Sequence, residues 1–125
     1  MGQIKEPIPV VVLLAVTSRH PTALQWARQQ SETHWGAVEL ESSVFSFDQT
    51  QYYESTMGIG LKKQFLAFHD LIDPAGLSRM KVQTNDWESA YQSQADCVEN
   101  RPLNLDPGYI CEGKLVLAST KDHAH

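Results

Sequence analysis

A chain of 125 residues with 42% hydrophobic and 20% charged positions carries enough apolar material for one core, and we expect a single domain over residues 1–125. Its formal net charge of -5, from 10 Lys and Arg against 15 Asp and Glu, argues against nucleic acid as a partner, because an acidic surface repels phosphates unless its cations are gathered on one face. The longest apolar run, residues 10–16, falls far short of the ~20 residues that a membrane-crossing helix needs, so no membrane partner is expected.

That run is mostly β-branched residues and Leu, which suits an interior strand covered on both faces. It has no small-residue cleavage site and is followed at once by Arg19, His20 and Pro21, so it does not read as a secretory leader. Glu6 stands where a myristoylation signal needs Ser or Thr. Pro21 is suited to a first helical position, and Leu24, Ala27, Ser31 and Trp35 recur on one face before Gly36, which predicts a helix from Pro21 to Trp35. Val38, Leu40 and Val44 share one strand phase while Phe45 and Phe47 take the other, so a bulge, or a break into two short strands, is expected near residues 42–44. Residues 48–60, with Tyr52, Tyr53, Gly58 and Gly60, lack a period and read as a long loop with helical turns.

Leu61, Phe65, Phe68 and Ile72 fall at i, i+4, i+7 and i+11, which predicts a second helix ending before Asp73-Pro74. Met80 to Gln83 reads as a short strand. Asn85 with Glu88 three residues on resembles a capping box opening a third helix, with Trp87 and Tyr91 on its buried side. Leu103 and Leu105 begin another strand, Asp106-Pro107-Gly108-Tyr109 has the residues of a type II turn and so suggests a hairpin, and residues 114–120 form the last strand. The order predicts an α+β fold, a mixed or antiparallel sheet with helices packed on it. A ferredoxin-like plait is the first expectation and a doubly wound α/β sheet the alternative.

Three stretches also carry a resemblance: Met1 to Pro7; Tyr52-Tyr53-Glu54 with Met57-Gly58, Gly60-Leu61-Lys62; and Asn104 to Tyr109. Together with residues 114–122 they resemble the bacterial domain-of-unknown-function family 4416 over essentially the whole chain. The resemblance implies no activity, substrate or catalytic residue. Similar proteins continue past His125 with further strand-like sequence, so the chain is expected to be C-terminally short, with the last strand an exposed edge open to self-association.

The chemistry is expected in two regions. Asp106, Lys114, Lys121 and His123 are the candidate catalytic residues, because adjoining strands would bring a carboxylate, amines and an imidazole together. Gly58, Gly60 and Lys62, with Lys63 beside it in the first turn of the predicted second helix, could hold a phosphate or nucleotide with Asn104 and Tyr109, although the full glycine-rich fingerprints are missing. His123 and His125 would share a face of a continued strand, and with Asp106 or Asp122 could hold zinc or manganese. No G-x-S-x-G elbow supports a nucleophile, and His20, His34 and His69 stand isolated in the sequence. Cys97 and Cys111, without C-x-x-C spacing, read as reduced thiols of a cytoplasmic protein. The expected function is a small-ligand binding or enzymatic domain with its site between residues 48–63 and 104–125. The alternatives are an assembly module pairing through the last strand, and a divalent-metal-binding domain.

Overall fold

A computed structural model describes residues 8–47, 54–111 and 114–118. The apolar run becomes strand β1 (Val10–Ser18), followed by helix α1 (Pro21–Trp35). Two short strands, β2 (Val38–Glu41) and β3 (Phe45–Ser46), precede a single helical turn, α2 (Glu54–Met57). Then come β4 (Lys62–Ile72), a 3-10 turn at Pro74–Gly76, helix α3 (Leu77–Gln94), and strands β5 (Asn104–Cys111) and β6 (Lys114–Leu117). The sheet runs β2-β4-β1-β5-β6, with β3 also on β4, and every pairing is antiparallel. This is an α+β fold. A doubly wound sheet, whose neighbouring strands would be parallel, does not describe it.

β1 is the central strand, as its continuous apolarity predicts, because β4 and β5 flank it and the residues on both of its faces are buried or nearly so. Val12, Leu14 and Val16 meet Ala23, Leu24 and Ala27 of α1, Leu66 and Phe68 of β4, Met80, Trp87 and Tyr91 of α3, and Leu103 and Leu105 in one core. Both long helices therefore lie on one face of the sheet. Trp35 joins them, with its ring 5.1 Å from Trp87 and its Nε1 donating to Gln83 Oε1 at 2.8 Å. Burying a side chain such as Phe68 or Leu14 contributes roughly 1.5–3 kcal/mol, so this layer is the main source of stability.

Residues 61–72 are the largest departure from the predicted elements: the i, i+4, i+7, i+11 spacing is carried by a strand. Leu66 and Phe68 alternate into the helix-side core, while Phe65 and Ala67, opposite Ala15 and Leu13, belong to the other face. A register shift between Val11 and Leu13 takes up two extra residues of β4 and keeps the alternation, so that Leu71 and Ile72 pair with Val11 and Val10. Apolar side chains on both faces, Leu66, Phe68 and Ile72 on one and Phe65, Ala67 and Leu71 on the other, mimic a helical period, and pairing on both sides of β4 decides for a strand. Met80 to Gln83 is not a strand but part of α3, which begins eight residues before Asn85. Glu88 therefore caps no N-terminus. Asp106 to Tyr109 is not a turn but the middle of β5. Pro107 still accepts from the Ala118 amide at 2.8 Å, and Gly108 lies where a Cβ would sit 2.3 Å from the Val116 carbonyl oxygen, so the close approach of β6 requires glycine. The expected hairpin exists one step later, between β5 and β6. The break at residues 42–44 falls where the phase change places it.

Candidate functional site

Strand alternation places Leu13, Ala15 and Thr17 on the face away from α1 and α3. All three are buried. Thr17 pairs with Lys63 of β4 on one side and Asn104 of β5 on the other, and Ala15 pairs with Phe65 and Asp106. The same-face set at this end of the sheet is thus Thr17, Lys63, Phe65, Asn104 and Asp106. Residues opposite one another in antiparallel strands have adjacent side chains, so the topology gathers these polar groups from three strands.

Asp106 is the hub of their hydrogen bonds. Its Oδ2 accepts from Asn104 Nδ2 at 2.8 Å and its Oδ1 from Lys81 Nζ at 3.2 Å, while Asn104 Oδ1 accepts from Arg101 Nη2 at 2.5 Å. Lys81 reaches it around the margin of β5, where Lys81 Nζ also donates to the Leu105 carbonyl at 2.8 Å and Glu88 Oε2 accepts from the Leu105 amide at 2.6 Å. Among the described residues β6 pairs only with Gly108 to Cys111 and leaves the start of β5 without an outer strand, and these two side chains from α3 satisfy polar backbone groups there. Burial raises the Glu88 carboxyl above its ordinary pKa, against the lowering effects of the Leu105 amide, Lys81 and Arg101. Glu88 and Arg101 also line a small cleft of about 190 Å³ with Gln92 and Leu103.

Lys63 is different. Its Nζ lies 4.1 Å from the centre of the Phe47 ring and 5.8 Å from that of Phe65, and no carboxylate within ion-pair distance meets it among the described residues. Burial pulls its pKa below the ordinary lysine value, and the more distant Asp106 charge pulls the other way. Next to it in register, the Thr17 hydroxyl is fully buried and has no hydrogen-bond partner among the described residues. Phe45 stacks on Phe65 at 6.0 Å and extends an aromatic surface from the same spot.

Of the sequence-predicted residues, the fold brings Asn104 and Asp106 together and separates most of the others. Tyr109 pairs with Val12, so it lies on the helix side of the sheet, opposite to Asp106. Lys114 occupies the register position opposite Cys111. Lys62 donates to Ser46 Oγ at 3.1 Å and lines a cleft of about 460 Å³ between α1 and the β3–β4 edge, with Leu24, Arg28, Val44 and Gln64. Gly58, with φ of 87°, and Gly60 lead into a strand rather than a helix, so the expected helix N-terminus for a phosphate is not there. Lys121, Asp122, His123 and His125 lie outside the described residues.

Sequence reasoning passed over Thr17 and His20. Lys63 falls within the predicted second helix, and the period-2 alternation of the observed strand places it on the face of Phe65 instead. Thr17 carries no sequence signal. His20 is not isolated: its Nε2 lies 3.0 Å from Glu99 Oε2 and 3.2 Å from Oε1, and Arg19 Nη1 donates to the same Oε1 at 3.2 Å. Glu99 is held below its ordinary pKa. Its burial acts upward but is outweighed by the His20 hydrogen bond, its own backbone amide and the charges of His20 and Arg19. Burial, Glu99 and Asp96 raise the nearby Cys97 thiol. Both Cys97 and Cys111 are free.

Fold and site together define a small α+β domain with two helices on one side of an antiparallel sheet and a polar cluster at one end of the other side. A family model, Domain of unknown function (DUF4416), matches residues 8–125, and the chain belongs to this family. No curated protein and no solved structure matches it. No helix among the described residues is long and apolar enough to cross a membrane.

Proposed function

We propose that the chain is a binding domain for a small phosphate-bearing ligand of the nucleotide class, held on the sheet face where Lys63, Thr17 and Asn104 meet. The observation that carries this reading is Lys63: an ammonium partly withdrawn from water, lying on aromatic rings with no carboxylate partner among the described residues. Such a charge costs free energy until an anion meets it. The orphan Thr17 hydroxyl beside it adds a hydrogen-bonding group that the described protein leaves unsatisfied. The stacked Phe45 and Phe65 rings offer a planar surface to a base. The β-α-β-β-α-β order of β1, α1, β2, β4, α3 and β5 supports reading the fold as a ferredoxin-like plait extended by β6. The two free thiols support a reducing, cytoplasmic location.

A titration calorimetry panel of nucleoside mono-, di- and triphosphates, with inorganic phosphate as control, tests the reading. We expect binding that Lys63→Met weakens more than tenfold. Binding to none of them, or equal binding by the variant, would reject it.

Catalysis by Asp106 with Lys114, Lys121 and His123 is the less favoured use of this end of the sheet, because both Asp106 oxygens are already engaged by Asn104 and Lys81. The same engagement weighs against a metal shared by Asp106, Asp122, His123 and His125. A second reading, assembly through β6, is favoured by a separate observation. Leu71, Ile110, Leu115 and Leu117 are about half exposed and occupy same-face register positions at the other end of the sheet, and β6 is the outermost strand on its side.

A further inference from the structure

We infer that His20, Cys97 and Glu99 form a binding site for one divalent transition-metal ion, zinc being the best match. Their ligand atoms, an imidazole nitrogen, a thiol sulfur and a carboxylate oxygen, all lie within 4.8 Å of one another, and the three residues are partly buried. Donors around a tetrahedral zinc with bonds of about 2.0–2.3 Å stand roughly 3.3–3.8 Å apart, so small side-chain adjustments complete the triangle. The mixture of nitrogen, sulfur and oxygen suits a borderline-soft ion and disfavours magnesium or calcium, which take oxygen ligands.

The scaffold holds the donors from both sides. His20 sits at the junction of β1 and α1, where its amide donates to Ser18 Oγ at 3.0 Å. The Ser18 hydroxyl in turn donates to the Pro102 carbonyl at 2.5 Å and ties that junction to the segment bearing Cys97 and Glu99. Glu99, with its side chain only 4% exposed, has its two oxygens differently engaged: Oε1 receives Arg19 and also lies 3.2 Å from His20 Nε2, whereas Oε2 meets His20 at 3.0 Å without Arg19. A metal on Oε2 leaves the Arg19 bond intact as an outer support of the kind that orients ligating carboxylates. Gly58 closes over this corner, since a Cβ there would lie 3.1 Å from Arg19 Cδ and 3.3 Å from Glu99 Cγ. Binding replaces the His20–Glu99 contact and releases the Cys97 thiol proton to solvent as the Zn–S bond forms. Three protein ligands leave a fourth position for water or an incoming ligand.

Titration of the reduced full chain with cobalt(II), followed by competition with zinc, tests this. The expected result is one equivalent bound, with a thiolate-to-cobalt charge-transfer band that zinc abolishes. Cys97→Ser should remove the band, and His20→Ala should weaken zinc binding at least tenfold. Cys111→Ser and the double variant His123→Ala/His125→Ala should match the parent chain. A cobalt complex lacking the thiolate band, or an unchanged zinc affinity in Cys97→Ser, would overturn the assignment, as would no binding by a chain whose melting shows it to be folded. The nucleotide panel with metal-free protein reads the sheet-face site separately, so either proposal can fail alone.

Discussion

Thr17 shows how much one atom can say about a site. Its hydroxyl is buried in the central strand without a partner among the described residues, a condition that costs about 1–3 kcal/mol in a folded protein. Valine has the same shape, favours strands and needs no hydrogen bond. Thr17→Val is therefore expected to raise stability by up to about 1 kcal/mol in urea denaturation while weakening nucleotide binding. A loss of stability in this variant would mean that the hydroxyl has a partner in the free protein. Lys63 sits beside it under the opposite constraint. Its depressed pKa means that the charged form is disfavoured by folding, so between the folded and the ordinary lysine values the protein gains stability as pH rises. A bound phosphate removes that penalty. Neither residue stands out in the sequence, because a threonine in an apolar strand and a lysine in a Lys-Lys pair are both commonplace; only strand register makes them neighbours.

Among the elements, the contact of α3 with β5 carries the most testable physics. Glu88 and Lys81 satisfy the amide and carbonyl of Leu105 at an edge of the sheet. Glu88→Ala removes the acceptor and is expected to cost about 1–3 kcal/mol. Glu88→Gln retains an acceptor, and the sign of its effect follows from the raised pKa of the acid. In the native state Glu88 binds its proton more tightly than in the unfolded chain, so its contribution to stability is greatest at low pH and falls as pH rises from the ordinary carboxylate value through the raised one. Thermal melts should then show the Gln variant at or above the parent chain at pH 7, with that relative advantage shrinking toward pH 4. A reversed order would show that attraction to Lys81 and Arg101 outweighs burial. Gly108 tests the next pairing outward. Gly108→Val places a side chain against the Val116 carbonyl and Leu117, which should cost about 1–3 kcal/mol and abolish amide-exchange protection in β6 while leaving β1 protected.

For the whole molecule, the two faces of the sheet have different fates. One is filled by α1 and α3 around Phe68 and Trp87, and the other carries the polar cluster at one end and half-exposed Leu71, Ile110, Leu115 and Leu117 at the other. Sedimentation velocity over a wide concentration series should show a monomer passing to a dimer, and Leu115→Lys should hold the monomer, if that apolar end and the outer edge of β6 pair between copies. A single species across the series would leave the face without a self-partner. The amino-acid sequence by itself determined the α+β class, the central apolar strand, the first helix with its proline start and glycine stop, the break at residues 42–44, and the family. These are local or compositional signals that survive without knowledge of neighbours. Only the tertiary structure decided that residues 62–72 form a strand, that Asp106 to Tyr109 runs straight through a sheet, and that Lys63, Thr17 and Asn104 converge while Tyr109 faces away. Apolar residues on both faces of a strand can copy a helical period, and Pro-Gly has the same letters in a turn as in a strand beside a close neighbour. Pairing partners distant in the chain resolve both ambiguities, and they exist only once the sheet has formed.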